Sequence, residues 1–232
     1  MTDPQSWVAQ TYQGLAELLT TTAVDAWDAA SLCEKWLVRH VIAHVIMPVR
    51  LTPEQFEAEM AAAGGDFTVL SDTVAIRDAA LPVAELLDQL RSPSLHAWQP
   101  PGGGTAGALS HAVIHSMDVT IAIDRPAVAP AEAATAVLDQ LTAANGTGFG
   151  VDLTGVRLEA ADTDWSWGKG RLVRPDSGSL VALLSGRALP DGGHCPAADN
   201  LALTRPAPRP QPVNQEAEIH GSTICRHRTP PH

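Results

Sequence analysis

Two histidines, His111 and His115, stand four residues apart in a segment whose apolar spacing predicts a helix. Residues four apart on a helix project from one face about one turn apart, so both imidazoles can reach a single metal ion. Asp118 follows His115 by three residues and falls on the same face. A carboxylate there can accept the N–H of a ligating imidazole and fix its tautomer. The spacing therefore predicts a metal-binding pair with one supporting carboxylate.

A third ligand is needed before this pair predicts a metal centre, because histidine pairs also occur on solvated helix faces. His44 is the candidate, since it lies among the aliphatic residues of segment 36–45, where an unpaired imidazole is costly to bury. His40, one turn earlier, is an alternative fourth ligand, although we expect it at the exposed start of its helix. His96 falls in a proline-rich segment, and we expect it at the surface.

The segments that must position these histidines are mainly helical. Apolar residues spaced by three, four and seven predict helices over 4–22, 36–47, 53–63, 67–80, 82–91 and 105–123. Val69 and Ile76 are among the core residues expected in the fourth of these helices, and prolines and glycines predict a loop over 92–104. Antiparallel helices of this kind predict a four-helix bundle, a fold that builds metal sites from inward side chains on facing helices.

The periodicity changes after a further helix predicted at 130–144. Alternation over 156–160, extended residues at 164–167 and a glycine turn before 172–173 predict a small β element, followed by a short helix over 180–185. Beyond residue 187 prolines recur and apolar periodicity stops, which is typical of disorder. The sequence thus predicts a metal-binding helical bundle over 1–125, a small α+β region over 126–187 and a disordered tail over 188–232.

Composition argues against several classes of protein. The chain has 15 basic and 26 acidic residues and a net charge of −11, so most of its surface repels a nucleic-acid backbone. It has no run of 18 apolar residues and no signal-peptide pattern at its start, so we expect a cytoplasmic protein that does not span a membrane. Cys33, Cys195 and Cys225 lack the spacing of a disulfide framework and are expected to be thiols.

Three motifs, in order along the chain, resemble the mycothiol-dependent maleylpyruvate isomerase family of the DinB-like superfamily. Segment 36–45 reads WLVRHVIAHV and is similar to the tryptophan and "AHL"-like stretch of that family's second helix. Segment 111–118 reads HAVIHSMD and resembles its paired-ligand helix, "HxxIHxxD". Segment 161–168 reads ADTDWSWG and resembles its "TDxDWSWG" segment. The resemblance extends over about residues 7–187.

The resemblance implies a DinB-like bundle that holds a divalent metal, usually zinc in this family, with mycothiol as the thiol cosubstrate. His44, His111 and His115 would be the ligands, and Asp118 would orient one of them. Some members carry glutamate where this chain has His111, so three histidines are expected here. The implied activity is that of an isomerase or an S-transferase, which would isomerise a small electrophile or attach the whole thiol to it as a conjugate. The protein would be a monomer or homodimer whose partners are the thiol and the electrophile.

Two other functions are consistent with the same residues. A closed coordination shell would make the chain a non-catalytic, metal-binding DinB-like protein, because a structural site leaves no position for an exchangeable ligand. A metal-dependent hydrolase would use a metal-bound hydroxide, with Asp118 as the obvious general base by position. The presence of an exchangeable fourth metal ligand would distinguish the two enzyme functions from a structural site, which has none.

Overall fold

The computed structural model describes residues 3–143, 145–146 and 150–192, and within them the chain is mainly helical with one small sheet. The α-helices are α1 (Pro4–Thr21), α2 (Val38–Val45), α3 (Met47–Arg50), α4 (Pro53–Ala62), α5 (Phe67–Asp78), α6 (Val83–Leu90), α7 (Pro93–Ala97), α8 (Gly104–Thr120), α9 (Ala131–Thr142) and α10 (Ser177–Leu184), and the strands are β1 (Val156–Glu159), β2 (Ser166–Gly168) and β3 (Arg171–Val173). The predicted fold class is confirmed: helices come first and a small α+β element follows. From residue 193 onward, the predicted tail lies outside the described residues.

Helix α8 is the central element of the fold. From Ala108 to Thr120 every residue except Ser110 is buried, and the helix packs against α1, α2, α9 and α10. A helix buried on all sides has no solvated face. His111 and His115 therefore lie in the interior, and their placement on a solvated face is excluded.

Helices α1 and α2 bring partners to α8. In α1, the buried residues Val8, Tyr12, Leu15 and Leu19 recur every three or four positions and face α8. Helix α2 ends at Val45, and a separate turn, α3, carries Pro48, whose ring nitrogen cannot continue the hydrogen-bond ladder. Because α2 packs against both α5 and α8, its last turn lies in the core.

Two predictions about this half of the chain are wrong. The segment expected to be a loop over 92–104 contains the short helix α7, which Pro93 begins at a position that suits proline and which buries Leu95. Val69 and Ile76 are 49% and 60% exposed rather than in the core. The apolar residues of α5 lie on all its faces, so their spacing does not identify the buried face. Packing against α2 buries a face other than the one that carries Val69 and Ile76.

The C-terminal element is a three-stranded sheet followed by α10. Strand β1 lies in the middle, antiparallel to β2 and parallel to β3. Helix α10 packs against α8 and α9. Two residues after its end, Gly186, with φ of +84°, turns the chain so that Arg187 is buried. The larger hydrophobic cluster of the described residues runs from Val8 to Leu184, and a smaller one contains Met47, Leu70 and Val74. The DinB-like four-helix arrangement and the bounds 1–125 and 126–187 stay predictions.

None of the helices in the described part of the chain is long and apolar enough to cross a lipid bilayer.

Gly168 and Gly155 provide a test of the sheet. Both have positive φ, +78° and +72°, but a Cβ at Gly168 would clash with the carbonyl oxygen of Val156, whereas one at Gly155 would meet nothing within 4 Å. We expect Gly155→Ala to cost about 1 kcal/mol of unfolding free energy from backbone strain alone. Gly168→Ala should cost on the order of 3 kcal/mol, because the strand must also move. Urea denaturation of both variants measures the difference, and equal losses would contradict the described register.

Candidate metal centre

The structure brings together the three histidines predicted as ligands. His44 comes from the last turn of α2, and His111 and His115 lie one turn apart on α8. Their ring centroids are 4.8 to 5.2 Å apart, and one nitrogen from each ring lies within 4.8 Å of the other two. All three side chains are buried, at 2%, 4% and 1% exposure. Two elements far apart in the sequence thus form one cluster of imidazoles.

Hydroxyl groups hold two of these rings. Nδ1 of His44 lies 2.9 Å from Oγ of Ser71 on α5, and Nδ1 of His111 lies 2.9 Å from the hydroxyl of Tyr12 on α1. With both Nδ1 atoms paired, the two Nε2 atoms face each other at 3.3 Å. Each hydroxyl therefore selects the side of the imidazole that points into the cluster.

A carboxylate holds the third ring. Nδ1 of His115 lies 2.9 Å from Oδ2 of Asp118, one turn along the same helix. A carboxylate only accepts, so the imidazole donates its Nδ1–H and its Nε2 keeps the lone pair. That Nε2 is buried and has no hydrogen-bond partner among the described residues. A buried polar atom without a partner is costly, and here it belongs to the residue predicted as a metal ligand.

The cluster fits a divalent metal of the zinc type. Burial, and then the neighbouring imidazoles, lower the pKa of His44 and His111 well below 6.5, so both rings are neutral at pH 7. Neutral imidazole is the form that binds metal, and zinc accepts three such nitrogens while keeping a fourth position. A metal at the three Nε2 atoms would also satisfy the orphaned atom of His115.

Asp118 is the acceptor at the centre of a buried network. Arg187 donates from Nε to Oδ1 and from Nη2 to Oδ2, both at 2.8 Å, and its Nη1 donates to the carbonyl of Ser185 at 2.7 Å. The thiol of Cys33 donates to Oδ2 at 3.1 Å. Burial alone would raise the pKa of Asp118, but the charge and hydrogen bonds of Arg187 hold it well below its usual value. The carboxylate is therefore ionised beside His115.

Sequence reasoning missed the groups that support the histidines. Tyr12, Ser71 and Arg187 lie on segments that carry no motif pointing to the site, and Cys33 was expected only to be a thiol. A weak signal existed for Arg187, which is the last residue before the apolar pattern stops. The orienting role predicted for Asp118 has the required contact in the structure and stays a prediction.

A second set of ligand types, Cys33, His115 and Asp118, also has metal-compatible spacing. The guanidinium of Arg187 lies against both oxygens of that carboxylate. A cation placed there would meet the positive charge of the arginine at short range. The cluster of three histidines is therefore the better metal site.

Two further histidines lie outside the cluster. His40, the alternative fourth ligand, accepts the backbone N–H of Leu37 on Nδ1 at 2.9 Å and so supports the start of α2. His96 is half-buried rather than on the surface, donating from Nε2 to the carbonyl of Leu90 at 3.0 Å. Its ring stacks on Tyr12 with centroids 6.1 Å apart.

The chain is similar to one described family. Residues 8–97 match the family model described as the mycothiol maleylpyruvate isomerase N-terminal domain. Two solved structures are also similar: the mycothiol-dependent maleylpyruvate isomerase, at 18% identity, and a histidine-to-alanine mutant of that enzyme, at 17%. Each match covers 82% of this chain and 92% of the other, with a TM-score of 0.41. No curated protein sequence matches the chain.

The buried pair of Asp118 and Arg187 can be tested by a double-mutant cycle. We expect Asp118→Asn and Arg187→Met each to cost about 3–5 kcal/mol of unfolding free energy, because each leaves one buried charge without its partner. The double variant should lose clearly less than the sum of the two. Urea denaturation measures all three. Arg174→Met, which removes an exposed pair with Glu159, is the control and should cost at most about 1 kcal/mol. Additive losses at Asp118 and Arg187 would contradict the pairing.

Proposed function

We propose that this chain is a metal-dependent enzyme that uses a small thiol, mycothiol. The proposal starts from the match of residues 8–97 to the family model of mycothiol maleylpyruvate isomerase N-terminal domains. The enzyme's reaction is the isomerisation of a small electrophile or the conjugation of the thiol to it through sulfur. The observation that carries the proposal is the convergence of three buried imidazoles, each held at Nδ1 by a protein group. The family match includes His44 but ends before α8, so the other ligands rest on the geometry.

His44, His111 and His115 would hold the metal, and zinc is the ion that suits three imidazoles in a tetrahedral arrangement with one further position. A divalent ion there supplies a Lewis-acidic position at which a thiol, whose usual pKa is about 8.5, loses its proton near neutral pH. The low pKa values of His44 and His111 favour this, since neither ring must first release a proton.

The charges that the protein supplies also favour an anionic ligand. Histidine binds metal as the neutral imidazole, so three histidine ligands would add no charge, and the negative charge of Asp118 is offset by Arg187 at 2.8 Å. The positive charge of a bound ion is therefore left for the substrates to neutralise, and a thiolate or a carboxylate-bearing electrophile does so. Burial of the ligands strengthens this attraction, because water screens it less.

The proposed reaction is a reversible addition. The thiolate sulfur attacks the β-carbon of a double bond conjugated to a carbonyl, and the π-electron pair moves to the carbonyl oxygen. The former double bond is then single and rotates. Return of the electron pair breaks the carbon–sulfur bond and releases the thiolate with the trans isomer. If the carbon next to the carbonyl takes up a proton instead, the sulfur stays attached and the product is a conjugate.

The arrangement around Asp118 disfavours the hydrolase alternative. A general base must accept a proton from water, but this carboxylate already accepts from His115, Cys33 and Arg187. Its lowered pKa also makes it a weak base. Within the proposal, its role is to hold Nδ1–H of His115 and keep Nε2 directed at the metal.

Metal content is the first test of this proposal. Protein purified without a histidine tag should hold about one divalent ion per chain, because the three proposed ligands form a single site. Single replacement of His44, His111 or His115 by alanine should remove most of that metal, as measured by elemental mass spectrometry. His40→Ala is the control: it removes a contact at the start of α2 but no proposed ligand, so its content should be unchanged. Wild-type content in His115→Ala would refute the ligand set.

Activity is the second test. The metal-loaded protein, given mycothiol and a panel of cis-enoic acids related to maleylpyruvate, should accelerate isomerisation or conjugation, followed by absorbance and mass spectrometry. His115→Ala should abolish turnover, and His40→Ala should preserve it. Asp118→Asn should lower metal affinity or rate by roughly ten- to a hundredfold, as loss of a hydrogen bond to a ligand commonly does. Equal turnover of an electrophile or an ester without any thiol would sink the proposal in favour of hydrolysis.

A further inference from the structure

Three aromatic side chains contact the cluster of histidines, and one of them also reaches solvent. The ring of Trp36 lies 5.1 Å from that of His44, and Tyr12 bonds to His111, but both aromatic residues are buried, at 4% and 1% exposure. Trp98 lies edge-on to His111 with centroids 5.6 Å apart and is half-buried. Among these three residues, Trp98 alone connects the ligands with the outside of the protein.

His111 is also the least buried of the three histidines. It is 4% exposed, against 2% for His44 and 1% for His115. The contact between this histidine and the partly exposed Trp98 favours an approach to the cluster on the side of α8 that faces the segment between α7 and α8.

The position of Trp98 is fixed from both sides of its segment. Its backbone N–H donates to the carbonyl of Leu95 at 3.1 Å, which closes the end of α7. The amide of the next residue, Gln99, donates to Oγ1 of Thr105 at 2.8 Å and to Oε1 of Gln5 at 3.0 Å. Because those partners lie on α8 and α1, the segment is tied to the two helices that supply His111 and Tyr12.

Among the residues that the structure describes, the indole N–H of Trp98 has no hydrogen-bond acceptor. Trp36 and Trp165, by contrast, donate from Nε1 to Asp72 and Asp139 at 2.9 and 2.8 Å. An indole N–H without an acceptor, on a partly exposed ring that contacts a proposed ligand, is available to donate to a bound molecule.

We propose that Trp98 forms the wall of the approach to the metal centre and packs against the thiol cosubstrate bound there. The inference rests on the function proposed above and adds a residue that determines affinity. The carbon skeleton of the thiol lies against the indole face, and a polar group next to its sulfur accepts the N–H. The ligand class is a small thiol with a hydrogen-bond acceptor near the sulfur, and a bare alkanethiol should bind less well.

Thiol binding to cobalt-substituted protein tests the proposal, since the sulfur-to-cobalt absorption band reports the bound thiol directly. Trp98→Ala should keep the metal content and cobalt spectrum of wild type but bind mycothiol about three- to tenfold more weakly, the effect expected of one aromatic contact. Trp98→Phe should recover part of the loss. Trp167→Phe, at a partly buried tryptophan on β2, is the control and should bind as wild type does. Unchanged mycothiol affinity in Trp98→Ala would overturn the proposal.

A probe that contains no thiol separates this inference from the proposed function. Benzohydroxamate binds an open metal position through oxygen and carries a flat ring. If wild type binds benzohydroxamate but no thiol, the thiol function fails. The role of Trp98 in lining the approach is then decided by whether Trp98→Ala weakens hydroxamate binding; equal affinities refute it.

A last measurement needs no metal. Diethylpyrocarbonate labelling of metal-free protein, mapped by mass spectrometry, should modify His111 before His44 and His115. Trp98→Ala should accelerate labelling of His111 several-fold and leave His115 unchanged. Equal labelling rates of His111 in wild type and Trp98→Ala would show that the approach does not pass Trp98.

Discussion

The buried ion pair between Asp118 and Arg187 is the interaction on which the rest of the centre depends. Removing two charges from water is costly, and only complementary geometry offsets that cost. Here the guanidinium meets both carboxylate oxygens at 2.8 Å, the two-point arrangement that suits arginine. The segment after α10 is thereby bound to the last turn of α8. The C-terminal element cannot move from α8 without exposing an unpaired charge, so it forms part of the site.

The same pair decides what the histidines can do. A histidine binds metal as the neutral imidazole, and a partner that accepts its other N–H must hold the ring in place. With Arg187 offsetting the carboxylate, Asp118 can accept the imidazole N–H while the arginine balances its charge. The two hydroxyl partners, Tyr12 and Ser71, act on the other rings without any charge. Histidines bind metal as neutral imidazoles, so this donor set would leave the charge of a bound ion uncompensated and the ion strongly Lewis-acidic.

The orientation of the cluster comes from four different elements. The partners of the three rings lie on α1, α5 and α8, and Arg187 follows α10. Helices α1 and α10 pack against α8, whereas α5 packs against α2, so these elements reach the cluster from different directions. A site that depends on this many long-range contacts forms only when the whole fold does, which explains why the histidines alone gave an incomplete account of it.

The sequence by itself determined the histidines, most of the helices and a resemblance to one family. His111, His115 and Asp118 were found because helical spacing fixes which residues share a face. His44 was found because an imidazole among aliphatic residues needs a partner. These are properties of neighbouring residues, and so are the apolar periods that predicted the helices and strands. Motif order along the chain indicated the family.

Only the tertiary structure decided which groups support the ligands and how the site is approached. Arg187 lies 69 residues from Asp118, Cys33 lies 85 residues from it, and Tyr12 lies 99 residues from His111. Periodicity describes the face of one helix and carries no information about which distant segment covers it. For the same reason the exposed face of α5 and the short helix before Trp98 could not be predicted: packing against other elements, rather than local preference, selected them.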